Sequence, residues 1–144
     1  MKTEIKEKWL TALRSGNYKQ TKGTLRKNNS FCCLGVLCDI VKDDIVEDDV
    51  VFNNVPVEWK DLNLITANNI YEILGESDVL PPRVVIYCGL DDDNPSFELN
   101  EIIINYLKNI HNNDVDINRK GNLAELNDAG ADFNFIADVI EKNL

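Results

Sequence analysis

Basic residues are scarce beyond position 30, and the chain has one histidine, His111. Residues 31–144 carry seven Lys or Arg against 23 Asp or Glu, and the whole chain has a net charge of −10. An anionic body repels the phosphates of nucleic acids and anionic lipid surfaces. The composition therefore argues against nucleic acid and membranes as partners.

Long apolar runs are also missing. No stretch approaches the ~18 apolar residues of a membrane-spanning helix. Residues 1–8 alternate charges and lack the apolar centre of a signal peptide. The 144 residues fit one domain, and no repeat, low-complexity tract or linker divides them. These absences predict a cytoplasmic protein with a single domain, 1–144.

The four cysteines lack the spacing of a chemical site. Cys32, Cys33 and Cys38 lie in one apolar run, and Cys88 stands apart. Zinc prefers paired cysteines or histidines with a matching second pair, and a cysteine nucleophile requires a neighbouring base. Neither pattern is present, so the thiols are predicted to be buried core residues. We expect no metal and no cofactor.

Apolar periodicity, capping residues and glycine stops predict a mostly helical α+β domain. A small edge β-hairpin is expected at 50–59, around Asn53-Asn54, together with a C-terminal αα-hairpin. The run 31–41 favours a helix, although a strand is compatible with it. Helices are predicted at 3–15 (capped by Thr3), 31–41, 66–74 (capped by Thr66), 82–88, 97–110 (capped by Ser96), 122–129 and 133–143.

Three residues are expected to order the core. Gly35 would cost ~1 kcal/mol in an ordinary helix interior, so its use should be a close backbone approach. Leu25, the only aliphatic residue of the polar segment 17–30, should pin that segment to the core. Trp9 should be a large buried anchor.

The polar segment 17–30 is the most informative part of the chain, because it concentrates cations within an acidic protein. Phosphates bind guanidinium forks, ammonium groups, hydroxyls and free backbone N–H groups. Adenine requires an aromatic face and amide edges. A solvated loop that offsets the acidic body is the alternative. The candidate ligand-binding residues of this segment are Tyr18, Lys19, Gln20, Lys22 and Arg26.

Three further residues belong to the candidate site. Asp39 lies on the most apolar predicted helix, and a buried carboxylate needs a partner, for which Arg14 or Arg26 is expected. Trp59 on the edge hairpin could face a ligand or a second subunit, although packing is the simpler interpretation.

The predicted pair 122–129 and 133–143 resembles a helix-turn-helix, but its acidic outer face would repel DNA.

Three segments resemble a widespread family of small, uncharacterised accessory proteins of tailed bacteriophages and prophages. They are Lys8-Trp9-Leu10 through Arg26, the run Phe31-Cys32-Cys33-Leu34-Gly35-Val36-Leu37-Cys38-Asp39, and Leu123-Ala124-Glu125-Leu126-Asn127-Asp128 with Gly130. The resemblance implies expression in a bacterial host cytoplasm. It brings no activity, although small phage proteins of this kind often counter host defence, and some capture nucleotide-derived signals.

The leading hypothesis is capture of a small anionic, nucleotide-like ligand without catalysis. An acidic inhibitor that occupies the basic site of a host protein is the alternative, and a nucleotide-cleaving enzyme is least favoured, because no catalytic pair is evident. A homodimer is compatible with the exposed strand edge of the predicted hairpin.

Overall fold

The computed structural model describes residues 1–47, 64–65, 70–72, 78–111 and 120–144. The predicted hairpin at 50–59, with Trp59, lies outside these residues. The described elements confirm a mostly helical α+β fold that ends in an αα-hairpin. The helices are α1 (Thr3–Arg14), α2 (Cys33–Glu47), α3 (Pro82–Cys88), α4 (Glu101–His111), α5 (Leu123–Asp128) and α6 (Phe133–Asn143).

Seven short strands accompany these helices in the described residues. Five form a sheet in the order β1-β3-β2-β5-β4, in which only the β1–β3 pair is parallel. Strands β6 and β7 form a separate antiparallel pair. The strands are β1 (Lys19–Gln20), β2 (Arg26–Lys27), β3 (Ser30–Phe31), β4 (Leu64–Ile65), β5 (Ile70–Glu72), β6 (Ser96–Phe97) and β7 (Gly121–Asn122).

Helix α2 lies in the core, where it packs against α1, α3 and α5, while α1 also packs directly against α6. Residues 33–38 of α2 are all buried, as the apolar run predicts. Trp9 of α1 is fully buried, and its indole Nε1–H donates to the carbonyl oxygen of Cys33 at 3.0 Å. The predicted tryptophan anchor is therefore confirmed, and its hydrogen bond fixes α1 against the first turn of α2.

The predicted close approach at Gly35 is confirmed. A Cβ built on Gly35 would overlap the carbonyl oxygen of Leu25 and lie 2.7 Å from its carbonyl carbon. The Leu25 side chain is fully buried, and its carbonyl accepts the N–H of Cys32 at 3.1 Å. Leu25 thus anchors the polar segment on α2, and glycine allows the two backbones to meet.

Several predicted boundaries are wrong. The helix predicted at 66–74 is wrong where the structure describes it, since Ile70–Glu72 forms strand β5 and pairs with β2. The remaining residues of that prediction, 66–69 and 73–74, lie outside the described residues. Ser96 does not cap α4, because Ser96 lies in β6 and the Asn100 side chain accepts the Ile103 N–H at 3.0 Å instead. Thr3 is the first helical residue of α1, whose N-cap is Lys2 without a side-chain hydrogen bond.

The start of α6 depends on Asp132, as predicted. Its carboxylate accepts the Phe135 N–H at 3.0 Å and the Tyr106 hydroxyl at 2.7 Å, while the Tyr106 ring stacks on Phe135 at 3.6 Å. Burial acts to raise the pKa of Asp132, but these hydrogen bonds outweigh it and lower the pKa below the ordinary 3.8.

We expect Asp132→Ala to lower the free energy of unfolding by about 1 kcal/mol at pH 7, the usual value of an N-cap. Because the folded-state pKa is lowered, the carboxylate stabilises the fold above pH 3.8 and loses this effect as the pH falls through the folded-state pKa. Urea unfolding of both proteins between pH 2 and 7 measures the difference. A difference independent of pH would contradict the role of the ionised carboxylate.

Candidate functional site

Residues 17–31 are not a polar loop, because they supply three adjacent strands, β1, β3 and β2, of the five-stranded sheet. Their register places Lys19, Ser30 and Lys27 side by side on adjacent strands β1, β3 and β2. Residues in register point to the same face, and adjacent strands lie about 4.8 Å apart. The two lysines therefore flank the Ser30 hydroxyl, with Cα atoms roughly 10 Å apart. We call Lys19, Ser30 and Lys27 the outer row.

The outer row is exposed and cationic. Lys19 and Lys27 are exposed, Ser30 is half-buried, and neither lysine forms an ion pair within the described part of the chain. The strands are joined by Asn28 and Asn29, and Asn28 takes φ 54°, a left-handed conformation that asparagine tolerates. This two-residue turn holds Lys27 and Ser30 opposite each other.

The inner face of the sheet carries the intervening residues Gln20, Phe31 and Arg26. The Arg26 guanidinium lies 5.1 Å from the Phe31 ring centroid, and its Nε–H donates to the Asn28 carbonyl oxygen at 3.0 Å. The Tyr18 ring meets Phe31 edge-on, with centroids 5.3 Å apart. Arg26 and Tyr18 therefore lie on the face opposite to Lys19, because alternate residues of a strand point in opposite directions.

Asp39 does not pair with an arginine, so that prediction is wrong. Its carboxylate accepts the Tyr18 hydroxyl at 2.7 Å and the Lys42 ammonium at 2.8 Å. Lys42 is one turn further along α2 and reaches Asp39 more easily than a residue on another element. Burial, together with the hydrogen bond to Asp39, raises the pKa of Tyr18 well above its usual range. The phenol is therefore a neutral donor.

Arg14 binds α1 to α6 rather than joining the segment 17–30. Its Nη2 donates to Asp138 Oδ1 and to Glu141 Oε2, both at 2.7 Å. The hydrogen bonds to Glu141 and then Asp138 raise the pKa of Arg14. The side chain is 37% exposed, so this ion pair contributes modestly to stability.

Lys22 lies over the turn between α5 and α6. A Cβ on Gly130 would lie 2.9 Å from the Lys22 Nζ, and Gly130 has φ 95°. The adjacent Gly23 N–H donates to Asp128 Oδ1 at 2.8 Å. Lys22 is thus placed by contacts with the C-terminal hairpin. The structure brings Lys19 together with Lys27, and it places Lys22, Arg26 and Arg14 on three other surfaces.

Asn127 makes more side-chain hydrogen bonds than any other buried polar residue that the structure describes, and sequence reasoning missed it. It is fully buried; its Oδ1 accepts from Gln20 Nε2 at 2.9 Å and from the Cys33 N–H at 3.3 Å, and its Nδ2 donates to the Thr21 carbonyl oxygen at 2.8 Å. Gln20 Nε2 also donates to the Ala131 carbonyl oxygen at 2.8 Å. Asn127 therefore joins the segment 17–30, the start of α2 and α5.

The cysteines are buried and unpaired, which confirms the packing prediction. Burial raises the pKa of Cys33 and Cys38, and raises that of Cys88 to about 12. Hydrogen bonding from the Cys33 thiol lowers the pKa of Cys32. No group of three or more His, Cys, Asp or Glu among the described residues could hold a metal ion.

A groove of about 650 Å³ runs between α1 and α2. Ala12, Tyr18 and Ile40, all half-buried, contribute apolar surface to it. Glu4, Glu7 and Lys8 of α1 also line it. Of the predicted ligand-binding residues described by the structure, only Tyr18 lines this groove.

Fold and site together define a small α+β domain with a short cationic sheet held against a helical core by a buried amide. The chain belongs to the family described as a domain of unknown function (DUF8296), whose family model matches residues 1–144. No curated protein and no solved structure matches it significantly. In the described ranges, no helix has both the length and the apolar character needed to cross a membrane.

Proposed function

We propose that the protein captures a small phosphate-bearing, nucleotide-derived ligand without chemical turnover. In this proposal it acts as a phage-type accessory protein, possessing a counter-defence role in the cytoplasm of a bacterial host. The observation that supports the proposal is the outer row, in which two ammonium groups flank a hydroxyl on one exposed face.

The outer row offers what a phosphate requires. Lys19 and Lys27 supply point charges from opposite sides, and Ser30 supplies a hydrogen-bond donor between them. Neither ammonium is neutralised by a carboxylate in the described ranges, although the chain carries 25 acidic residues. Two lysines on one face suit a compact anion, whereas the acidic remainder of the surface would repel a long polyanion.

The test is calorimetric titration of the full chain with ADP-ribose, AMP and inorganic pyrophosphate. We expect the double variant Lys19→Ala, Lys27→Ala to weaken binding by about tenfold for each lysine removed, since a hydrogen bond to a charged group contributes about 1.5 kcal/mol. Binding should also weaken as salt rises from 0.05 to 0.5 M, because exposed charges are screened.

The matched control is Lys108→Ala, Lys142→Ala, which removes the same charge from two exposed lysines outside the sheet. If both double variants lose the same affinity, net charge alone explains the effect, and the outer row is not the site. Heats indistinguishable from dilution for all three ligands would overturn the proposal. Chromatography of each ligand after incubation would reveal turnover, the result that favours an enzyme.

A second candidate function is occupation of a basic site on a host protein. It is favoured by the charge distribution, because residues 31–144 carry 23 acidic and seven basic residues. The ion-paired carboxylates Asp138 and Glu141 remain largely exposed, at 60% and 56%. A stable protein partner recovered from host lysate, lost in 0.5 M salt, would favour this function over ligand capture.

A further inference from the structure

We propose that the groove between α1 and α2 binds an arginine side chain presented by a short basic segment of a partner protein. This inference rests on the second candidate function and does not involve the outer row. It names the surface used and the chemistry of the partner.

The apolar part of the groove suits a long aliphatic stem beside an aromatic ring. Ala12 and Ile40 contribute aliphatic surface from α1 and α2, and the half-buried Tyr18 ring contributes an aromatic one. The Tyr18 hydroxyl is already engaged by Asp39 at 2.7 Å, which fixes the ring in place. Arg and Lys lay their methylene stems along such surfaces while their charged heads remain in water.

The charged lining of the groove selects a cation. Lys8 is shared between Glu4 at 3.9 Å and Asp44 at 3.7 Å, so its charge is already matched. Glu7 is exposed and has no ion-pair partner within the described ranges. The Glu7 carboxylate can therefore bind an incoming cation beside an apolar surface, whereas the excess of negative charge repels an anion.

Arginine fits better than lysine for two reasons. Its planar guanidinium stacks on an aromatic face and binds a carboxylate with two parallel hydrogen bonds, while an ammonium group does neither. The volume of about 650 Å³ also exceeds that of one side chain, so the groove has room for neighbouring residues of the same segment.

The test is an NMR titration of the ¹⁵N-labelled full chain with the peptide acetyl-Arg-Arg-Arg-amide. We expect shift changes to concentrate at Ala12, Tyr18 and Ile40, and the neutral citrulline peptide to produce none. Glu7→Gln should weaken binding by about fivefold, the upper range for an exposed ion pair. The lysine peptide should bind more weakly than the arginine peptide.

Glu101→Gln is the matched control, because Glu101 is exposed on α4, outside the groove lining. It changes the net charge equally and should leave the affinity unchanged. Ala12→Lys offers a second variant, which fills the groove with a cation and should abolish the shift changes there. Changes spread over all acidic surfaces, or equal losses in both glutamine variants, would overturn the groove as the site while leaving the second candidate function open. Concentration-dependent sedimentation that Glu7→Gln abolishes would show a second copy as the occupant and overturn the partner assigned here.

Discussion

Replacing Gly35 with alanine is expected to lower the free energy of unfolding by about 3 kcal/mol, the upper range for overpacking a core. The new methyl group would overlap the Leu25 carbonyl oxygen, a backbone atom that cannot rotate away. That carbonyl also accepts the Cys32 N–H at 3.1 Å, so moving it weakens a hydrogen bond at the start of α2. The clash outweighs the ~1 kcal/mol that alanine gains over glycine in a helix.

Urea unfolding followed by circular dichroism measures this loss, and Gly23→Ala is the control. The Gly23 N–H also makes a tertiary contact, with Asp128. A Cβ on Gly23 would nevertheless meet no atom within 4 Å, so only its φ of +68° opposes substitution. We expect Gly23→Ala to cost about 1 kcal/mol from backbone strain alone. Equal losses at both glycines would contradict the contact at Gly35. Leu25 directly precedes β2, so displacing its backbone in Gly35→Ala should also weaken the binding of any ligand at Lys27.

The helices that the sequence predicted correctly, such as α3 and α6, have a clear apolar period together with a local start or stop signal. Helix α3 begins at Pro82 and ends before Gly89, which has φ 64°, and α6 begins after its Asp132 cap. Such signals are local, since they depend on residues within one turn of each other. The failure at Ile70–Glu72 has a different cause: β5 pairs with the nearby β4 on one side and, on the other, Tyr71 pairs with Arg26, 45 positions earlier. No local pattern contains that contact.

The strands β1, β2 and β3 could not be recognised by alternation, because each has only two residues. One local signal was nevertheless present. The Asn-Asn pair that predicted a turn at 53–54 also occurs at Asn28 and Asn29, and there it forms the turn between β2 and β3. Its polar and charged flanks made it resemble a loop rather than a hairpin.

Proximity in the sequence did not place the predicted site residues on one surface. Lys19 and Arg26 lie seven positions apart, yet they point to opposite faces of the sheet, because their positions in the register differ by one. Side-chain chemistry selected the cations of the segment as candidates, but strand register decides which of them lie side by side. Lys27 stood in the same segment and replaces Arg26 as the neighbour of Lys19 across β3.

Asn127 did leave a signal in the sequence. It follows Leu123 by four positions on a short apolar helix, which places an amide on the buried face. A buried polar side chain requires partners, and the Asn127 amide can supply them to three separate segments. Recognising those partners required the fold, because Gln20 and Cys33 are 107 and 94 positions away.

We expect Asn127→Ala to lower the free energy of unfolding by about 3 kcal/mol or more. The change would leave the half-buried Thr21 carbonyl and the buried Cys33 N–H without this partner, and each unsatisfied buried group costs about 1–3 kcal/mol. Asn127→Asp keeps the shape but loses the donor to Thr21, so it should be no better tolerated. Asn143→Ala, which removes one exposed amide on α6, should cost less than 1 kcal/mol.

A double-mutant cycle with Gln20→Ala tests whether Asn127 acts through the segment 17–30. Gln20 Nε2 donates to Asn127 Oδ1 at 2.9 Å, so each single variant already removes their shared hydrogen bond. The double variant should therefore cost less than the sum of the single variants, by 0.5 kcal/mol or more. Additive losses would show that Asn127 stabilises α2 and α5 independently of Gln20. The position of the outer row would then depend on Leu25 rather than on the buried amide.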